Sequence, residues 1–522
     1  MRARKLLLVC LPALLFALAL TLPASAREAT RSEELPLGNP ALSETRETQR
    51  LAPGVEYTRI ERGRSSEKDF YTVDVAFEAE RRDAAETARE LRRDGYDPRV
   101  ETVSDRAPDD PESGPLGYLV RAGSFEEETG AEALAGRLEA DGYEEPGVVY
   151  TGEDGEKTSG PWVLHALEID PDLYGGEISP ELATGVVPGR ERLTSISGRE
   201  DALAAVNGGY FVIGDSDGTP GELAGISVLD GELVSEAVDG RTNLILPEDP
   251  GEEADVASVS DTLSVESPDG ASREVDGKNR EPGLIRNCGG DGGDRPTERP
   301  LHDFTCTDES ELVHFTPVFG SATEPGAGTE AVLDESGRVV ELRDERGGPI
   351  PDSGSVLSGT GDAADWLREH ARPGSKLRLE ERVLASGEPL SEETGVVNVV
   401  NGGPRLLQDG EREITAYEEG FHRPEDPEFY YRFGERRNPR TLAGVTPEGN
   451  LLLVAVDGRR PGYSVGASFE ESAEIMRSLG AEEGVNLDGG GSTSMTLGDD
   501  LVNRPSDSGG ERPIGDAVVL SE

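Results

Sequence analysis

The sequence predicts an α+β protein: a β-rich, mixed-sheet domain accompanied by a smaller module of two helices and four strands. Three observations predict it. Between residues 70 and 150 a strand, a helix and a second strand occur twice in the same order. Beyond residue 160 short apolar runs and Asp-Gly turns dominate, and helical patterning is confined to 363–371 and the stretch after Ser468. Four of those apolar runs end at Asn-Gly or Asp-Gly corners, where glycine lets backbone approach a ligand closely.

Length and charge bound the partners. The 522 residues suit roughly two or three domains. Lys+Arg total 51 against Asp+Glu 105, a net charge of -54, so the field repels nucleic acid and anionic membrane surfaces. Residues 1–26 read as a secretory signal peptide: Arg2, Arg4 and Lys5, an apolar core, then Ala24-Ser25-Ala26. The expected location is therefore secreted, and no later run is long enough to span a bilayer. Cys10 falls inside the signal segment, and export predicts a disulfide between Cys288 and Cys306. With only His302 nearby, those two cysteines do not make a zinc site.

Residues 27–49 are polar and aperiodic and predict a flexible leader. Within 50–63, Val55-Glu-Tyr57-Thr-Arg-Ile60 alternates as one strand. Residues 68–152 hold the repeat. Its first copy is the strand 70–77, the helix 83–93 and the strand 99–103. Its second is the strand 118–125, the helix 130–140 and the strand 147–150. Ala85, Ala88 and Leu91 give one helix an apolar stripe, and Leu134 and Leu138 the other. Two such units pack as a four-stranded, ferredoxin-like sheet with helices on one face. Tyr118-Leu-Val-Arg-Ala-Gly-Ser-Phe125, with the Asp-Gly-Tyr that closes each helix, resembles the SPOR family. That resemblance implies binding to peptidoglycan glycan strands and association with the cell wall. The plainer alternative is a module that only spaces or buttresses its neighbour.

The main domain, 160–522, opens with the strand 162–169. Ile226-Ser-Val-Leu-Asp-Gly-Glu-Leu-Val234 reads as a hairpin turning at Asp230-Gly231. Residues 254–307, acidic and glycine-rich, predict a surface insertion. Leu451-Leu-Leu-Val-Ala-Val456 is apolar without alternation, the mark of a strand buried on both faces. Ser468 and Glu471 form a capping box for a helix that buries Phe469, Ala473, Met476 and Leu479 and stops at Gly480.

The chemistry gathers at the four corners: Asn207-Gly-Gly, Asn401-Gly-Gly, Asp457-Gly and Asp488-Gly-Gly-Gly. If their strands lie side by side, two amides and two carboxylates share one rim. In Gly484-Val-Asn-Leu-Asp488-Gly-Gly-Gly-Ser492-Thr493, the residues Asn486, Asp488, Ser492 and Thr493 would surround a small polar ligand. It is not a phosphate loop, because no Gly-Lys-Ser/Thr follows, nor a serine-hydrolase elbow, because the final glycine of that frame is missing.

Asn207-Gly-Gly-Tyr210-Phe211, Gly221-Glu222-Leu-Ala-Gly225, Arg440-Thr441-Leu-Ala-Gly444, Asp457-Gly458-Arg459, Asn486-Leu-Asp-Gly-Gly-Gly-Ser-Thr493 and Arg504-Pro-Ser-Asp507 together resemble the phosphodiester glycosidase family. Val55-Glu-Tyr57-Thr-Arg-Ile60 is similar to that family's opening strand, so the repeat module would be inserted in the domain rather than placed ahead of it. The resemblance implies hydrolysis of an N-acetylglucosamine-type sugar held through a phosphodiester. Acetal cleavage calls for carboxylates, here Glu222, Asp457 and Asp488. Arg405, Arg440 and Arg459 suit phosphate oxygens, and His422 is a further phosphate contact or proton donor. Asn207, Tyr210, Asn401, Thr441, Asn486, Gly489, Gly490, Ser492 and Thr493 complete the expected substrate-binding set.

No cofactor is required by this chemistry. A divalent metal held by Asp215, Asp217 and the rim carboxylates is an alternative without a supporting motif, and a non-catalytic wall-glycan binder is another. The expected partners are a carbohydrate phosphodiester and peptidoglycan strands.

Overall fold

The computed structural model describes residues 34–521, apart from 156, 239, 249–250, 287–294, 297–304, 391–396 and 425. Its central sheet has eight strands. In spatial order they are Glu44–Ala52, Val55–Arg62, Trp162–Ile169, Leu451–Val456, Arg440–Val445, Glu483–Asn486, Arg405–Gln408 and Glu411–Arg412. Leu451–Val456 is buried along its whole length. Leu452, Val454 and Val456 enter one apolar cluster, while Leu451, Leu453 and Ala455 enter another on the opposite face. Two cores, one per face, explain a strand with no polar alternation.

The helix Phe469–Ser478 covers the first face, its start fixed by the Ser468–Glu471 capping box. Two further sheets cover the second face. One contains Val397–Val400 between Ser227–Leu229 and Thr242–Pro247. The other places Ala204–Asn207 between Met495–Leu497 and Asp516–Ser521. A smaller sheet is mixed, because Gly277–Lys278 runs parallel to Leu312–Phe315. Among the described residues no helix is long and apolar enough to cross a membrane.

Three sequence expectations change. Residues 44–49, read as part of a flexible leader, belong to the strand Glu44–Ala52, which pairs with Val55–Arg62 from Glu44↔Arg62 to Ala52↔Val55. Both faces of that strand are largely exposed, so backbone pairing holds it and no apolar alternation marks it. Ahead of it, Leu35 and Leu37 are buried beside Trp162, and Arg62 Nε donates to Leu37 O at 2.8 Å.

The acidic stretch 254–307 is not wholly a surface insertion. Asp255–Glu266 is an inner strand between Thr242–Pro247 and Arg378–Ala385, burying Val256, Ala257, Val259, Leu263 and Val265. Its serines and aspartates take the intervening positions and disguise it. Cys306 is buried in Thr305–Thr307, but Cys288, its expected disulfide partner, lies outside the described residues, as does the signal segment.

Val55–Arg62 and Trp162–Ile169 are antiparallel neighbours, Arg62 opposite Trp162, so the chain leaves and rejoins the sheet at one end. Between them stands an antiparallel four-stranded sheet in the order Pro98–Val103, Gly117–Phe125, Tyr71–Glu78, Gly147–Tyr150. The helices Arg81–Arg93 and Glu128–Ala140 pack on one face through Ala84, Ala88, Leu91, Leu134 and Leu138. Ala84, not Ala85, joins the stripe, because 84, 88 and 91 share the inward face.

The module's other face meets the main body. Phe77 stacks on Tyr431 with ring centroids 5.5 Å apart. Arg121, 2% exposed, binds Asp74 at 2.6 Å, Asp154 at 2.7 Å and the Tyr431 hydroxyl at 2.8 Å.

Candidate active site

The Asn/Asp-glycine corners do meet, but from three sheets rather than side by side in one. Leu451–Val456 and Glu483–Asn486 both run antiparallel to Arg440–Val445, so they are parallel to each other and leave the central sheet at the same edge. Asp457 and Asp488 follow them. Ala204–Asn207 and Val397–Val400 arrive from the two covering sheets.

Asn207 is the knot. Its Nδ2 donates to Asp488 O at 2.7 Å, while its Oδ1 accepts from Thr441 Oγ1 at 2.6 Å and Ser494 N at 3.1 Å. Asn401 Oδ1 accepts from Tyr210 N at 2.7 Å. Asn486 Nδ2 donates to the Tyr210 oxygen at 2.7 Å and to Gly403 O at 3.0 Å. Amide side chains suit this work, because one group both donates and accepts and so ties two backbones together.

The carboxylates differ sharply in environment. Asp457, 1% exposed, accepts from Asn503 Nδ2 at 3.1 Å, Arg504 N at 2.9 Å and the Tyr463 hydroxyl at 2.8 Å. His165 Nε2 stands 3.4 Å from it without a hydrogen bond, so three bonds from the fold hold this carboxylate. Glu222 is 2% exposed and lies in a separate loop, accepting from Thr219 N at 3.0 Å and Glu281 N at 2.6 Å. Burial pushes its pKa up to about 8 despite those bonds. Asp488 alone of the three is half-buried rather than enclosed, with Oδ1 accepting from Gly489 N at 2.8 Å.

The basic residues divide in the same way. Arg459 is exposed, held by Asn438 Oδ1 at 2.8 Å. Gly490 lies beneath its guanidinium, where an added Cβ would make ordinary contact at 3.4 Å, and its φ of +60 is what calls for glycine. Arg440, 1% exposed, donates to the carbonyls of Ala467 and Phe433 and lies 4.4 Å over the Phe469 ring. That anchors the wall behind the site. Arg405 is spent on an ion pair with Glu483 at 2.5 Å. His422, 1% exposed, hydrogen-bonds Asp110 of the inserted module at 2.6 Å. The structure therefore brings together Asn207, Tyr210, Asn401, Thr441, Asn486, Asp488, Gly489, Gly490, Ser492 and Thr493, with Arg459 above and Asp457 behind. Glu222, Arg405 and His422 are engaged elsewhere.

Sequence reasoning missed Asp516, 2% exposed, whose Oδ1 accepts from Gly209 N at 2.9 Å. Its only signal was an acidic residue opening an apolar terminal run, Asp516-Ala-Val-Val-Leu520, with glycine before it instead of after.

Four buried polar atoms around Asp488 have no hydrogen-bond partner among the described residues: Asn486 Oδ1, Ser492 Oγ, Thr493 Oγ1 and Asp516 Oδ2. Each such atom costs about 1–3 kcal/mol. They belong to the corners that flank Asp488, whose own side chain is half-buried. Among the described residues no group of three or more His, Cys, Asp and Glu is placed to hold a metal ion. Asp217, one of the residues weighed for that role, instead accepts from Thr305 Oγ1 at 2.9 Å and pairs with Arg286.

A family profile described as phosphodiester glycosidase matches residues 327–521. A putative exported protein from Burkholderia pseudomallei is 35% identical, covering 94% of this chain and 98% of its own, with a TM-score of 0.85. The N-acetylglucosamine-1-phosphodiester alpha-N-acetylglucosaminidase of Bos taurus is 29% identical over 125 residues, 24% of this chain and 23% of that protein. Its Mus musculus counterpart is 27% identical over 164 residues, 31% of this chain and 30% of that protein. The match spans less than a third of either curated relative.

Proposed function

The chain belongs to the phosphodiester glycosidase family, and from that premise we propose that it is a secreted hydrolase. Its substrate is an N-acetylglucosamine-type sugar linked at its anomeric carbon to a phosphodiester. The observation that carries this reading is the ring of unpartnered buried oxygens around half-open Asp488. Sugar hydroxyls, an acetamido group and phosphate oxygens supply the hydrogen bonds such a ring lacks.

In this reading Asp488 takes a proton from water as the water oxygen attacks the anomeric carbon. The bond from that carbon to the phosphate oxygen breaks and a phosphate monoester leaves. A phosphate leaving group is weakly basic, so one ionised carboxylate suffices where an alcohol would need a second acid. Arg459 above Gly490 supports the phosphate. Asp457, held by three hydrogen bonds, keeps the Asn503–Thr493 edge in place.

The test is release of free sugar from an N-acetylglucosamine-1-phosphodiester, measured beside a simple α-N-acetylglucosaminide and a plain phosphate diester. Turnover confined to the first substrate is the expected result. Hydrolysis of the plain diester with no sugar released would overturn the reading.

The signal-peptide pattern of residues 1–26 supports export, and the resemblance of residues 68–152 to SPOR supports attachment to peptidoglycan. The module's helices cover one sheet face and the main body covers the other, so a glycan strand would have to bind at its edges, loops or outer helices. Retention of the full chain on purified peptidoglycan tests that role. Loss of retention would leave a module that buttresses the enzyme.

A further inference from the structure

Gly208 stands between two carboxyl groups. Its carbonyl accepts from Asp488 N at 3.2 Å, and its own N–H donates to Asp516 O at 3.0 Å. A Cβ built on Gly208 would lie between 2.5 and 2.8 Å from the carboxyl atoms of Asp516, so glycine is required there because that carboxyl is seated on it. Asp516 opens the strand Asp516–Ser521, whose next residue pairs with Asn207. The strand ladder thus fixes the carboxyl beside the knot of the site. Only Gly209 N reaches Oδ1, and Oδ2 is buried with no partner among the described residues. One N–H bond falls far short of what a buried carboxylate needs to remain ionised.

We propose that the Asp516 carboxyl, seated on Gly208 between Asp488 and its own strand, admits an anionic diester to the site only while it carries its proton. The inference rests on the diester-hydrolase reading and deepens it by naming the charge state the substrate requires. Neutral Asp516 leaves Asp488 as the one charged partner of the pair that flanks Gly208. Ionised Asp516 sets a second charge beside it, and the pair then repels a phosphodiester monoanion in a desolvated setting.

Burial pushes the Asp516 pKa up to about 7, with the charge of Asp488 acting in the same direction, so the change falls near neutral pH. Asp488 is the charged group set against it. Gly208, Gly209 and Gly515, with Phe211 and Leu223 packed on Gly515, bring no charge of their own.

The test is the pH dependence of KM and kcat, taken separately, for the methyl diester of N-acetylglucosamine-1-phosphate, a monoanion throughout the range. In the wild-type protein KM is expected to rise at least about tenfold as pH passes upward through the Asp516 titration. In Asp516→Asn, which keeps an oxygen for Gly209 N, KM is expected to stay flat. If wild-type KM does not move with pH, or if it rises equally in both proteins, the inference is overturned. Should the wild-type protein turn over no diester, the hydrolase reading fails separately. The dissociation constant of the same diester, measured by calorimetry on both proteins, then decides the Asp516 question by the same criterion. A pH-dependent affinity lost in Asp516→Asn upholds the inference, and undetectable or pH-independent binding overturns it.

Discussion

Asp457 and Asp488 follow parallel strands out of the same sheet edge and look alike in sequence, each an aspartate followed by glycine. The fold treats them differently. Asp457 accepts from Asn503, Arg504 and Tyr463, so Asp457→Ala strands several buried donors and is expected to cost at least about 2 kcal/mol in denaturant unfolding. Asp488→Ala, at a half-open position, is expected to cost under about 1 kcal/mol. Equal losses would contradict the division into a supporting carboxylate and an exposed one. Asn207, Asn401 and Asn486, expected from the sequence to bind substrate, spend amide groups tying backbones together at the site, a use that short amide-glycine motifs do not announce. Arg405 and His422 pair with Glu483 and Asp110, residues 78 and 312 positions away, and no local pattern records such partners.

At the scale of elements, what the sequence revealed tracks how a strand is held. Leu451–Val456 announced itself by unbroken hydrophobicity, because two cores claim its two faces. Glu44–Ala52, in the same sheet, was invisible because its ladder with Val55–Arg62 supplies the stabilisation and its side chains face solvent. The expected energetic contrast follows: Leu453→Ala costs about 2–5 kcal/mol by cavity formation, and Thr48→Ala stays within about 0.5 kcal/mol. Urea midpoints of the two variants check it, and a severe loss from Thr48→Ala would show that side chains hold the edge. The repeat in 68–152 was readable as strand–helix–strand units. Its docking was not, since Asp109 accepting from Tyr417 N at 2.8 Å and Glu418 N at 2.9 Å depends on which loop meets which turn. That turn leads to Phe421, 5.9 Å from the Tyr210 ring, so the module braces one wall of the site.

Over the whole molecule, a net charge of -54 combines with buried carboxyls held above their ordinary range. Burial lifts Glu222 and Glu435 to about 8, Glu153 and Asp516 to about 7, and Asp276 to about 6. For each, the folded state binds the proton more tightly than the unfolded chain, so their contribution is intact below the unfolded pKa and is lost as pH rises through the folded one. Glu381, held down at about 2 beside His314 and Lys278, acts in the opposite sense but only below its unfolded value. His314, held below its ordinary value by burial, opposes them only up to about pH 6.5, so Tm is expected to fall from about pH 6.5 to about pH 8, and a rise over that range would contradict these assignments. Three sheets deliver their Asn/Asp-glycine corners to one site, and the proposed hydrolysis of a sugar-1-phosphodiester there depends on Asp488 as its working carboxylate. The most direct measurement compares sugar release by the wild-type protein and by a folded Asp488→Asn variant. A loss of at least about a hundredfold is predicted, whereas an unchanged rate in the variant would remove Asp488 from the chemistry.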